Sequence, residues 1–263
     1  MNRRISQVFS KEGFRHLIYI PIILVRVRNW WPFLLNYIGL RNDINEYSFR
    51  NGDTFTTIDT IDVVTLMVVY IKRDYGVIPK NSTEIDIGAN IGAFTVYAAS
   101  KAAKVIAIEP VNINFDTLNI NIQKNELTNK VVVAKKAVTN ENGVRKIYIS
   151  KRSAFHSFYA KDQGTSEDVE CLSLDTLFFQ YSITSCDILK IDAEDSEYDI
   201  LYAASADVLR TIKNIRVEVR DIDENNNIRS LAEHLHTFGF VLKQYKLDFT
   251  LKAGIAHFIN VTS

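Results

Sequence analysis

The run Glu84-Ile85-Asp86-Ile87-Gly88-Ala89-Asn90-Ile91-Gly92 is a short apolar strand that passes into a glycine-rich turn and opens a helix. Glycines in such a turn let backbone N–H groups approach a ligand closely, and the N-terminus of the following helix favours anionic groups. The spacing is Gly-x-Asn-x-Gly, which lacks the third glycine of the dinucleotide fingerprint Gly-x-Gly-x-x-Gly. Asp86, just ahead of the turn, would repel a pyrophosphate but suits the ammonium of an amino-acid moiety. Charge logic therefore favours S-adenosylmethionine over NAD. About seventeen residues beyond Gly92 stands Glu109, at the end of a second apolar run, where a carboxylate can accept both hydroxyls of a ribose.

A second cluster, Asp187-Ile188-Leu189-Lys190-Ile191-Asp192-Ala193-Glu194, puts Lys190, Asp192 and Glu194 at the carboxyl end of a strand, the edge where open α/β sheets bind ligands. A buried lysine beside carboxylates has a tuned pKa and can take part in proton transfer; equally, Asp192 or Glu194 can cap the helix that follows. In the next run, Arg216-Val217-Glu218-Val219-Arg220, period-2 alternation puts Glu218 and Arg220 on one side. Glu218 reads either as a buried general base or as the structural partner of Lys190. Among five histidines, His156 in the loop Ser153–Tyr159 is the one expected near the cleft edge; His16, His234, His236 and His257 fall on helices or a strand. Two of these carboxylates could instead hold Mg²⁺ through oxygen ligands, and the sequence leaves both mechanisms open.

The elements that must position these groups alternate from about residue 84 onward. Strands are expected over Glu84–Gly88, Lys104–Glu109, Val131–Val138, Asp187–Ile191 and Ile215–Val219, and helices over Ile91–Lys101, Asn112–Asn125, Leu174–Tyr181, Tyr198–Leu209 and Ile228–Phe238. Val144–Ser150, with its Asn142-Gly143 turn, and the Ser153–Tyr159 stretch read as an inserted hairpin and loop. Phe240–Tyr245 and Ile255–Val261 have no helix between them and must pair antiparallel. The result is an α/β, Rossmann-like, mostly parallel seven-stranded sheet closed by an antiparallel hairpin, the sheet of the nucleoside-dependent methyltransferases. A dinucleotide dehydrogenase would continue with a further βα unit or a substrate domain. Residues 81–263 form this domain. Residues 1–80 form a basic, apolar, helical leading segment expected to flank the cleft, with a hairpin over Asn45–Ile58 around Asn51-Gly52 and a helix over Val63–Lys72.

The 263 residues are 47% hydrophobic and 24% charged, enough to bury a core as one large domain or two small ones. The 31 basic and 31 acidic residues cancel, which argues against an extended nucleic-acid footprint. The balance hides an asymmetry. Residues 1–41 hold Arg3, Arg4, Lys11, Arg15, Arg26, Arg28 and Arg41 against Glu12, a net +6 that leaves −6 for the rest. Together with Leu17–Val25, Trp30, Trp31, Phe33, Leu34 and Leu35, this is the composition of an interfacial helix, so residues 1–41 are expected either to touch a membrane surface or to cap the main domain. The apolar run is too short to span a bilayer and Pro21 interrupts it; arginines follow it and no small-residue cleavage site does. Cys171 and Cys186 form no C-x-x-C pair and suggest neither a disulfide framework nor a zinc site, which fits a reducing cytoplasm.

With these motifs in hand, the chain resembles the FkbM family of S-adenosylmethionine-dependent methyltransferases over about residues 75 to 260. The matching pieces are Asp86-Ile87-Gly88-Ala89-Asn90-Ile91-Gly92-Ala93-Phe94-Thr95, Glu109-Pro110 with Asn114-Phe115, Leu174-Asp175-Thr176-Leu177, Leu189-Lys190-Ile191-Asp192-Ala193-Glu194 with Glu197, and Glu218. The resemblance implies a class I methyltransferase fold and a cofactor site built from Asp86, Gly88, Asn90, Gly92, Phe94, Thr95, Glu109, Pro110 and Asp192. It also implies O-methylation of a hydroxyl on a sugar, glycolipid or related natural product, with Lys190, Asp192, Glu194, Glu218 and His156 as the groups able to move a proton. One departure is visible: the family's Glu-Gly pair reads Glu194-Asp195 here. The rival readings are an RNA or protein methyltransferase on the same sheet, disfavoured by the acidic body; an NAD-dependent oxidoreductase; and an inactive, cofactor-binding, membrane-associated scaffold.

Overall fold

A computed structural model describes residues 18–40, 45–150, 153, 156–158, 165–248 and 253–262. Arg3, Arg4, Lys11, Glu12, Arg15, Leu17 and Arg41 lie outside the described residues, as do residues 154, 155 and 159 of the loop expected over 153–159.

The leading segment folds as helices α1 (Ile20–Arg26) and α2 (Trp30–Tyr37), the expected hairpin β1 (Glu46–Ser48) and β2 (Thr54–Thr56), and α3 (Ile61–Leu66), which continues as a wider π-helical turn over Met67–Lys72. Aromatic packing holds it together. Phe49 stacks on Tyr70 with ring centroids 4.2 Å apart and meets Phe33 and Phe55 edge-on. Two asparagines one helical turn apart, Asn121 and Asn125, then satisfy the open edge of β2. Their amides accept from Thr56 N and Thr54 N at 2.7 and 2.8 Å and donate back to the carbonyls of the same residues.

The main domain begins at β3 (Thr83–Ile87) and runs α4 (Ala93–Ala99), β4 (Lys104–Ile108), α5 (Asn112–Lys124), β5 (Val131–Ala134), β6 (Ala137–Thr139), β7 (Gly143–Tyr148), β8 (Ser166–Ser173), α6 (Leu174–Gln180), β9 (Ile188–Ile191), α7 (Glu197–Ala203), α8 (Ala206–Arg210), β10 (Asn214–Val219), α9 (Ile228–His236), β11 (Phe240–Asp248) and β12 (Ala253–Asn260). Seven strands form one sheet in the order β11-β12-β10-β9-β3-β4-β5, parallel except for β12, which runs antiparallel to both neighbours. The expected terminal hairpin is therefore present. Alternate residues of the central strands feed two cores. Val105, Ala107 and Ile188 join α4, α5 and the leading segment, while Ile85, Ile106, Leu189 and Ile191 face α6 to α9.

Three expectations need correction. The strand expected over Val131–Val138 breaks at Lys135-Lys136, where the chain leaves the parallel sheet and Lys136 pairs with Glu170 at 2.6 Å. Ala137–Thr139 then pairs with β8 in a second, three-stranded sheet, order β6-β8-β7. The partner strand of the inserted hairpin is β8, a stretch the alternation pattern passes over because its burial is irregular and charged residues interrupt it. The helix expected over Tyr198–Leu209 is two, because Ser205 caps a new start: its hydroxyl accepts from Val208 N at 3.3 Å and its own N–H donates to Asp175 at 3.0 Å. Among the described residues no helix is long and apolar enough to cross a membrane.

Phe49 is 2% exposed at the centre of the aromatic cluster. Phe49→Ala should destabilise the chain by about 3–5 kcal/mol in urea unfolding, the cost of a large buried cavity. Because the leading segment and α4 share one core, the loss should appear in a single transition.

Candidate active site

The carboxyl ends of β3, β4, β9 and β10 open onto one cleft of about 970 Å³. Its first wall is the turn after β3, where Gly88, Asn90 and Gly92 all hold left-handed backbone, with φ of 71°, 51° and 88°. Gly88 is there by necessity: a Cβ would lie 1.8 Å from the Asp192 carbonyl oxygen in the turn after the neighbouring strand β9. The two turns interlock, and no side chain fits between them.

Beneath this contact lies Lys190, 4% exposed. Its ammonium pairs with Asp86 Oδ1 at 3.0 Å and donates to the carbonyls of Gly88 and Ile87 at 2.7 and 3.3 Å. Burial alone would lower its pKa, but Asp86 and Asp192 together outweigh burial and hold it above the ordinary lysine value. Lys190 is thus a fixed cation with every proton engaged, and the expected proton-transfer role does not fit this geometry. Asp86 is corrected likewise. It is fully buried, with Oδ2 accepting from the Thr95 hydroxyl at 2.5 Å, so it braces Lys190 instead of meeting a ligand ammonium directly. Thr95 and Gly92 also lie behind the cleft, whereas Gly88, Asn90, Phe94, Glu109, Pro110 and Asp192 line it.

Glu109 is 4% exposed at the end of β4. One oxygen accepts from Asn90 N at 2.8 Å and the other from Val111 N at 3.0 Å, while burial pushes its carboxyl up to about 7. Next to it, Asn114 donates to the Ser153 carbonyl at 2.9 Å and leaves its own Oδ1 buried without a partner. His156 accepts the Ser150 N–H on Nδ1 at 2.9 Å. That bond places the ring proton on Nε2, which is buried and unpartnered, and burial lowers the pKa of the ring. His156 is a neutral donor lining the cleft, not the base expected from the sequence.

At the other end, β9 and β10 bring carboxylates together around one cation. Arg220 lies 3.0 Å from Glu194, 3.1 Å from Asp195 and 3.7 Å from Glu218. Burial, then repulsion from Asp192, pushes Glu194 up to about 8, and the same causes raise Glu218 well above the ordinary range. Asp195 sits at φ 78°, the left-handed conformation in which the family's glycine is at ease, and its ion pair to Arg220 occupies the space a glycine would leave. Asp192 accepts from the Tyr75 hydroxyl at 3.0 Å. Tyr75 gave no sequence signal, being a lone aromatic after a helix. The helix expected over Val63–Lys72, in the segment expected to flank the cleft, supplies a wall of Ile61, Val64, Thr65, Val68 and Val69 from α3 and its π-helical turn. Among the described residues no group of three or more His, Cys, Asp and Glu side chains is arranged to hold a metal ion.

The strand order and a ligand cleft at the glycine turn define a class I methyltransferase architecture. The profile described as the methyltransferase FkbM domain matches residues 86–245. Methyltransferase sdnD of Sordaria araneosa is 24% identical over 178 residues, covering 55% of this chain and 69% of its own length. The crystal structure of methyltransferase FkbM from Methylobacillus flagellatus KT shares the fold at a TM-score of 0.52 and 12% identity, over 93% of this chain but only 59% of that one. The chain belongs to the FkbM methyltransferase family.

Glu194 carries a testable consequence. Its folded pKa of about 8 lies above the ordinary 4.5, so between these values the folded state binds a proton that the unfolded state has lost. Stability from this group is full below 4.5 and falls as pH rises toward 8. Wild type should therefore become progressively less stable than Glu194→Gln across that window, as read by thermal midpoints of both proteins.

Proposed function

We propose that this protein transfers a methyl group from S-adenosylmethionine to a hydroxyl of a sugar, glycolipid or related natural product. Family membership supports methyl transfer. The observation that carries the cofactor reading is the pair of buried, unpartnered polar atoms beside Glu109: a donor, His156 Nε2–H, and an acceptor, Asn114 Oδ1. A purine with an exocyclic amine presents the complementary edge, one acceptor and one donor, and Val111, Ile147 and Phe158 supply apolar walls for a flat ring. Glu109 then falls where ribose hydroxyls would lie, and the Gly88–Asn90 turn leaves backbone room for the amino-acid end. Asn90 Oδ1, also buried without a partner, adds a further acceptor there.

The cofactor, when bound, supplies an electrophilic methyl on a sulfonium. The chain's own task is to hold the acceptor oxygen about 3–3.5 Å from the reacting carbon and to keep water away. The apolar wall from α3 and Phe94 excludes water. Glu194, poised near 8, matches a base that works close to neutral pH and takes the hydroxyl proton, while Glu218 is the neighbouring carboxyl that Arg220 keeps in register. Asp192 is fixed by Tyr75 at the boundary between the two halves of the cleft.

Thermal unfolding with S-adenosylhomocysteine at about a hundred times its dissociation constant should raise stability by about 2.7 kcal/mol, and NAD should not. Glu109→Ala should lose the shift. S-inosylhomocysteine, whose base edge inverts the donor and acceptor, should bind at least about tenfold more weakly to wild type, by the loss of one buried polar match. No shift with either sulfur nucleoside overturns the cofactor assignment. Glu194→Gln should keep the shift yet lower kcat by about 10²–10⁴ on an accepted hydroxyl, the range for a general base.

A further inference from the structure

The outer face of the leading helices is apolar and uncovered. Ile18, Pro21, Leu24 and Val25 follow the three- and four-residue spacing of one helical stripe, opposite the buried Ile23 and Val27. Ile18 and Val25 are 66% and 71% exposed, Trp31 at the start of α2 is 53% exposed, and among the described residues nothing covers them. Arg28 is exposed between the two helices. A stripe of this kind on a soluble face costs hydration, and it sits in the part of the chain that carries a net +6 against −6 elsewhere.

We propose that this face docks on an anionic lipid surface, with Leu24, Val25 and Trp31 entering the headgroup boundary and the exposed Arg28 meeting lipid phosphates. The two signals are complementary. Apolar insertion of a few side chains is marginal alone, and a polybasic stretch alone binds weakly, but together they anchor a protein reversibly. The docked face is fixed relative to the cleft: Arg26 turns inward and donates to the carbonyls of Tyr70 and Ile71 at 2.6 and 3.2 Å, and the same π-helical turn presents Val68 and Val69 to the cleft. A lipid surface on α1 therefore lies across one helical layer from the acceptor end. Where the methyl-transfer reading holds, this selects an acceptor carried on a lipid; the docking itself does not depend on that reading.

Flotation of the full chain tests it, with vesicles of phosphatidylcholine mixed with phosphatidylglycerol against phosphatidylcholine alone. Wild type should float with the mixed vesicles, and less so as salt is raised. The combined variant Leu24→Ser, Val25→Ser, Trp31→Ser should lose at least about tenfold in partition, and Arg28→Ser about fivefold. Far-UV circular dichroism and thermal midpoints of the variants establish that they fold. Absence of wild-type flotation, or equal flotation of folded triple variant and wild type, overturns the proposal. So does a wild-type dimer in solution that the triple variant turns into a monomer, since the face would then be a contact between copies. Failure of the cofactor reading would show as a missing S-adenosylhomocysteine shift, and failure of methyl transfer as absent turnover, both measurements independent of flotation.

Discussion

The cleft depends on one buried cation. Lys190 sits where the turns after β3 and β9 meet, and a lysine ammonium is stable at 4% exposure only because Asp86 and two backbone carbonyls surround it. Those carbonyls belong to Ile87 and Gly88, so the charge that Asp86 compensates also sets the path of the glycine turn. The Lys190 ammonium further lies 5.8 Å from the centre of the Tyr75 ring, whose hydroxyl holds Asp192. One electrostatic knot thus fixes the glycine turn, the acid after β9 and the edge of the leading segment.

Around that knot the cleft divides by charge. The end near Glu109 is a set of oriented hydrogen-bonding groups among apolar side chains, suited to a neutral base and its sugar. The end near Arg220 crowds Glu194, Asp195 and Glu218 on a single guanidinium, and burial, followed by repulsion from neighbouring carboxylates, lifts the pKa values of Glu194 and Glu218. Asp195 belongs to this arrangement. Its left-handed backbone is uncomfortable for a side chain, and the ion pair to Arg220 offsets that strain.

Much of this was legible in the sequence because it is local. The strand-turn-helix at 84–92, the acid ending β4 and the Lys-x-Asp run ending β9 are set by spacing along the chain, and the alternation of apolar runs gave the parallel sheet and its final hairpin. What was not legible is set by contacts between distant segments. Lys190 and Asp86 were each visible as charged residues, yet only the pairing of adjacent strands shows that they neutralise each other and withdraw from ligand chemistry. His156 looked like a base until the Ser150 N–H fixed its tautomer. Tyr75 carries no motif at all, and β8 was hidden by the charged residues on its exposed face.

The amide clasp of Asn121 and Asn125 on β2 bears on how the protein is made. The leading segment leaves the ribosome before its partners: Asn121 and Asn125 for the hairpin, Ser153 for Asp59, Asp192 for Tyr75. Until β4 and α5 have been synthesised, the helices that wall the cleft lack the core of Phe94, Val105, Leu118 and Ile122 on which they settle. The leading segment is therefore made well before it can reach its native place, and its apolar helices must pass that interval shielded by other means.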